Sequence, residues 1–90
     1  MNEVIDKFFL RGPLTVILKL SELKNSYIRE LSIKTGLTYA QTWKIIYNLQ
    51  FMGIIVIGSK GRKVTVRLTK KGEKLAKYLN NIMSILETSV

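Results

Sequence analysis

The segment Ile28–Gly53, IRELSIKTGLTYAQTWKIIYNLQFMG, holds two helical stretches joined by the tight turn TGLT at 35–38. Ile28 and Leu31 supply the inward positions of the first stretch, and Asn25 or Ser26 stands where a capping side chain belongs. Gly36 can adopt positive φ at no steric cost and end that helix, with Leu37 packing back as the apolar contact that accompanies such an ending. Only one residue later, Thr38 is a good N-cap for a second helix, 38–52, which stops at Gly53.

Four aromatics, Tyr39, Trp43, Tyr47 and Phe51, recur every fourth residue along the second helix. Whether they face a core follows from the helical angle of about 100° per residue. With Thr42 at zero, Ile45, Ile46, Leu49 and Gly53 centre close to zero and define the inward direction. The aromatics then run from about 60° at Tyr39 to about 180° at Phe51, a stripe that starts beside the core and drifts to the opposite face. Ala40, Gln41, Lys44 and Asn48 point most directly away. For Trp43, the readings are packing along the domain's flank, contact with a nucleic acid, or contact with a protein partner.

Beyond Gly53 the period changes. Ile54 to Ile57 is a β-branched run, and Val64, Val66 and Leu68 alternate with Thr65 and Arg67, the two-residue period of a half-buried strand. GSKGRK between them is a turn, so a β-hairpin is predicted whose tip, 59–63, carries Lys60, Arg62 and Lys63. Thr69 then caps a last helix with Leu75, Leu79, Ile82, Met83 and Leu86 on one stripe. Upstream, Val4, Ile5, Phe8 and Phe9 have helical spacing, RGP interrupts, and Pro13 suits the first position of a helix running to about Leu23 that buries Leu14, Ile17, Leu18 and Leu20.

Composition narrows the chemistry. The 90 residues leave room for one domain, 1–90, with no Cys and no His, which removes disulfides, thiolate and imidazole metal sites, and Ser-His or Cys-His catalysis. The expectation is a non-enzymatic protein without metal or cofactor. Its longest apolar run, FMGIIVIG, is far short of the roughly 20 residues a bilayer span needs, so a soluble, cytoplasmic location without membrane contact is expected. Fifteen Lys and Arg outweigh six acids, a net charge of +9. Between Leu31 and Gly72 no acid occurs, while Lys34, Lys44, Lys60, Arg62, Lys63, Arg67, Lys70 and Lys71 do. Such an asymmetry is the footprint of a surface that meets a polyanion; a charged face kept only for solubility mixes both signs.

Helix, glycine turn, helix, basic hairpin and closing helix together resemble the winged helix-turn-helix family, over about Ser26 to Leu79. IRELSIKTGLT places Leu31, a small Ser32 where the two helices touch, and Gly36 as that family does. WKIIYNLQFMGII resembles the end of its recognition helix, and VRLTKKGEKLAKYL is similar to the segment after the wing in archaeal and bacterial regulators of the multiple-antibiotic-resistance type. Thr35 and Thr42 stand where the family usually has aliphatic side chains, so either the core is thinner there or Thr42 bonds its hydroxyl back to the helix. The resemblance implies a mainly α fold with a small β-hairpin (α+β), a winged helix with extra N- and C-terminal helices. Small regulators of this kind are common in archaea and their viruses, which would place a viral copy in the host cytoplasm and a cellular one on the nucleoid.

The resemblance also implies double-stranded DNA as partner, with helix 38–52 in the major groove. Gln41 and Lys44 are then the expected base contacts and Ala40 can touch a thymine methyl. Thr38 and Tyr39 meet phosphates or base edges, and Tyr47 and Asn48 the backbone. Lys60, Arg62 and Lys63 of the wing straddle the adjacent minor groove or its phosphates. Segments 1–11 and 79–90 exceed what one winged helix needs, so Val4, Ile5, Phe8, Phe9, Leu79, Ile82, Met83 and Leu86 are expected to build a homodimer interface. No small-molecule ligand is identified. The alternatives are a protein-interaction winged helix of a larger complex, and non-specific architectural DNA or RNA binding.

Overall fold

The computed structural model describes residues 11–88. Along the chain run α1 (Arg11–Leu23), β1 (Asn25–Tyr27), α2 (Ile28–Thr35), α3 (Tyr39–Phe51), β2 (Ile55–Lys60), β3 (Lys63–Leu68) and α4 (Lys70–Glu87). The helix expected over the first nine residues lies outside the described residues. Pro13 sits in the first turn of α1 as described, where its missing N–H costs no hydrogen bond. Buried Val16, Ile17 and Leu20 form the α1 stripe, with Leu14 and Leu18 packed at its edge.

α1 touches the three other described helices and carries the centre of the core. Around it close Ile28 and Leu31 of α2, Ile46 and Leu49 of α3, Ile54, Ile55, Val66 and Leu68 of the sheet, and Ala76 of α4. Thr42 is fully buried among them. Its hydroxyl donates to the Thr38 carbonyl at 2.8 Å, and the Thr35 hydroxyl likewise donates to the Leu31 carbonyl at 2.8 Å. Both threonines therefore stand in for aliphatic residues by returning their hydroxyls to their own helices.

The sheet has three strands, not the expected two, in the antiparallel order β1–β3–β2. Ser26, predicted as a helix cap, instead lies in β1 opposite Val66, and the N-cap of α2 is Tyr27, which makes no side-chain cap bond. A buried Ser26 hydroxyl donates to Glu30 Oε1 at 2.9 Å. In the hairpin, Ile55 opposes Leu68 and Ile57 opposes Val66 on the inward face. Pairing continues to Lys60 opposite Lys63, so the loop is only Gly61-Arg62, tighter than GSKGRK. Gly61 has φ +63° while Arg62 is not left-handed, the sign pattern of a type II′ turn.

Three junctions hold α3 in place. Gly36, at φ +76°, donates its N–H to the Ser32 and Ile33 carbonyls, and Ser32 Oγ donates to the Leu37 carbonyl at 2.7 Å. At the other end Gly53, φ +77°, donates to Gln50 O and Ile54 N–H to Leu49 O, the paired bonds of a Schellman ending. Thr69 then caps α4 by accepting from Gly72 N–H at 3.0 Å while donating to the Gly53 carbonyl at 2.6 Å. Among the described residues no helix is long and apolar enough to cross a membrane.

Candidate nucleic-acid interface

The outer face of α3 follows the predicted angles. Thr42, Ile46 and Leu49 are buried, whereas Ala40, Gln41, Lys44, Tyr47 and Asn48 are exposed and Phe51 is 91% exposed. Tyr39, placed beside the core by its angle, is also exposed. Lys44, Asn48 and Gln41 share a shallow groove with Gly12 and Pro13 at the start of α1.

Trp43 occupies the other flank, half-buried against the core. Its ring stacks on Tyr47 with centroids 5.1 Å apart and meets the Tyr39 ring edge-on at 6.3 Å. The aromatic stripe is therefore a ladder in which one half-buried indole fixes two exposed tyrosines.

Capping constrains one expected base contact. Gln41 Oε1 accepts from the Thr38 amide at 3.0 Å and the Gln41 amide donates to Thr38 Oγ1 at 3.1 Å, a complete capping box. Bidentate pairing with adenine needs the same Oε1 as an acceptor. In this arrangement Gln41 offers its NH₂ group in full and its Oε1 only through the lone pair that the cap leaves over.

All eight cations of the acid-free stretch are exposed. Among the described residues the ion pair is Lys19–Glu22, so none of those eight is neutralised by a described carboxylate. They do not form one uniform sheet of charge. Lys34, Arg62 and Lys63 gather round a cleft of about 490 Å³ between α2, the start of α3 and the hairpin tip, while Lys44 lies in the groove beside α1. Lys71 caps the end of α3 by donating to the Met52 carbonyl at 2.7 Å.

Sequence reasoning missed two members of that cleft, Tyr27 and Arg29. Register explains Tyr27: it pairs with Thr65 and is thus diagonal to Lys63, whose Nζ lies 4.7 Å from the ring centroid. Arg29 sits over the Tyr39 ring at 5.8 Å. Its signal was masked by Glu30 next to it, which kept this turn out of the acid-free stretch.

No protein-family model matches the chain. An uncharacterized protein of Archaeoglobus fulgidus is 30% identical over 61 residues, covering 68% of this chain and 64% of that relative. The chain thus spans just under two thirds of the curated relative's length. Among solved structures, AF1382 from Archaeoglobus fulgidus superimposes with a TM-score of 0.85 at 24% identity, over 94% of this chain and 98% of that one. The MarR family transcriptional regulator SPO1453 from Silicibacter pomeroyi gives 0.80 at 20% identity, over 94% and 65%. For the transcriptional repressor BigR from Xylella fastidiosa the values are 0.78 and 19%, over 98% and 87%. The chain has the winged helix-turn-helix fold.

Within this winged helix, α2 and α3 are the helix-turn-helix and β2–β3 is the wing. Lys60, Arg62 and Lys63 stand exposed at the wing's tip. Of the residues expected to pair two copies, Val4, Ile5, Phe8 and Phe9 lie outside the described residues. Leu79 is a correction: only 9% exposed, it closes the monomer's own core beside Ala76. Ile82, Met83 and Leu86 are exposed, as are Tyr78 and Ile85 of the same helix. Leu18 of α1 and Met83 of α4 line a cleft between the two helices.

Proposed function

We propose that this chain is a sequence-specific regulator of transcription that binds double-stranded DNA. The observation that carries the reading is the outer face of α3. It presents Lys44, Asn48, Ala40 and the Gln41 NH₂ to solvent, on a helix held at both ends by glycine junctions, beside a wing whose cations lack described carboxylate partners. A helix with such side chains suits the major groove, where lysine reaches guanine or phosphate, the Gln41 NH₂ can donate to a base edge and alanine can touch a thymine methyl. Wing cations add sequence-independent affinity by releasing counterions. Two structural neighbours with the same fold are a transcriptional regulator and a transcriptional repressor, which supports the reading by analogy.

The functional unit in this proposal is a two-fold homodimer joined through Ile82, Met83, Ile85 and Leu86, spacing two α3 helices about 34 Å apart along one face of the duplex. Selection of bound duplexes from a random pool, read at several salt concentrations, tests specificity and symmetry together. A two-fold symmetric consensus is expected. Equal binding to all sequences would replace the regulator with an architectural protein. Phe51, with 91% of its surface exposed, favours as second reading a protein partner docking at the end of α3.

A further inference from the structure

The end of α3 is tied to the start of α4. Thr69 Oγ1 donates to the Gly53 carbonyl at 2.6 Å, the Thr69 amide to the Ile54 carbonyl at 2.9 Å, and Lys71 Nζ to the Met52 carbonyl at 2.7 Å. This junction joins two features that the DNA contacts proposed above leave free. One is Phe51, the last residue of α3, 91% exposed although Met52 beside it packs against the core. The other is the exposed side of α4 that carries Lys71, Lys74 and Tyr78, spaced three and four residues apart and so on one face. The charge here has one sign. Glu73, the acid in the first turn of α4, lines a separate cleft with Leu20, Leu68 and Lys77. Lys71 uses one of its three N–H groups on the Met52 carbonyl, which holds the ammonium at the patch with two donors left over.

We propose that this junction docks an acidic segment of a partner protein, whose apolar side chain covers Phe51 while its carboxylates meet Lys71 and Lys74. The proposal rests on the second reading above, a protein at the end of α3, and names the chemistry of that protein. A second copy of this chain is a poor match. Glu22 pairs with Lys19, Glu30 accepts from Ser26, and Glu73 shares its cleft with Lys24 and Lys77, so these acids are scattered and engaged. Duplex DNA would suit the lysines and leave Phe51 uncovered. Phe51 lies ten residues beyond Gln41, about 15 Å along the helix axis, whereas the major groove is about 12 Å wide. The bonds of the junction fix Lys71 and the backbone at Phe51 before any partner arrives, which lowers the ordering cost of docking.

The test records backbone amide shifts of the isotope-labelled full chain, unchanged and as Phe51→Ser and Lys74→Ala, during titration with three synthetic peptides. The first sets glutamates around a leucine and phenylalanine stripe. The second replaces those glutamates with lysine, and the third replaces the apolar stripe with glutamine. Both substituted side chains are exposed, and thermal melts confirm that the variants fold. The first peptide alone is expected to move Phe51, Gly53, Lys71 and Lys74. Its affinity should fall about tenfold in Phe51→Ser and about threefold in Lys74→Ala, with duplex affinity of Phe51→Ser unchanged. Equal shifts at these residues from the lysine peptide overturn the acidic assignment and leave a protein at the end of α3 standing. Shifts confined to the wing lysines, or none with any peptide, overturn both. Shifts at Phe51 and Lys74 that follow chain concentration without peptide assign the surface to a second copy, and displacement of the acidic peptide by duplex assigns it to DNA. Either result overturns the proposal.

Discussion

Thr38 and Gln41 cap each other across the first turn of α3, with reciprocal bonds of 3.0 and 3.1 Å between side chain and backbone. The residue expected to read a base is thereby also the residue that secures the helix start. Gln41→Ala removes half of this box and should cost about 1 kcal/mol of stability as well as any base preference. Gln41→Glu separates the roles, because a carboxylate still accepts from the Thr38 amide and favours the helix N-terminus. Its melting temperature should stay within a few degrees of the unchanged chain, while duplex affinity falls. Equal affinity for DNA in Gln41→Glu, measured beside its melt, would remove Gln41 from the interface.

Thr42→Val should be close to neutral, within about 1 kcal/mol by chemical denaturation. The Thr38 carbonyl that accepts the Thr42 hydroxyl also accepts the Thr42 amide at 2.9 Å, so loss of the hydroxyl leaves no buried group without a partner.

Gly72→Ala should be strongly destabilising, by about 2 kcal/mol or more. A Cβ there would fall on the Ile54 carbonyl oxygen, which is backbone and cannot swing aside. A melting temperature unchanged by this substitution would contradict the close approach of α4 to the start of the wing.

Lys60→Ala should weaken binding to all duplexes nearly alike and flatten the salt dependence by about one unit. Lys44→Ala should instead relax preference at one position in each half-site. Comparing specific and random duplexes for the two variants checks the division of labour between wing and helix.

Ile82→Asp with Leu86→Asp should yield a monomer by light scattering with the fold retained, because both side chains are exposed in the single chain. Leu79→Asp, by contrast, should unfold it. An unchanged chain that already runs as a 10.3 kDa species at micromolar concentration would sink the dimer.

The elements legible in the sequence are those whose signals are local. Gly36, Thr38, Gly53 and Thr69 each mark a helix end because φ preference and side-chain capping act within a few residues, and each serves at its predicted junction. The buried face of α3 followed from the helical angle together with its apolar positions, Tyr39 excepted. A local signal failed where the residue gave no hint, as at Lys24, which takes a left-handed φ of 68° to end α1 without a glycine.

Contacts between distant segments were decided only in three dimensions. β1 is three residues long, too short for its own periodicity to show, and exists because β3 offers Arg67, Val66 and Thr65 as partners for Asn25, Ser26 and Tyr27. Leu79 lies on the same apolar stripe as Ile82 and Leu86, so only packing in three dimensions assigns it to the core and leaves the others outside. The meeting of Arg29 and Lys34 with Arg62 and Lys63 likewise depends on the wing folding back past α2. Chain order fixes backbone preference and helix face, because both are set by neighbouring residues. Which faces meet is settled by the shared core, where burial of many side chains at once selects a single arrangement.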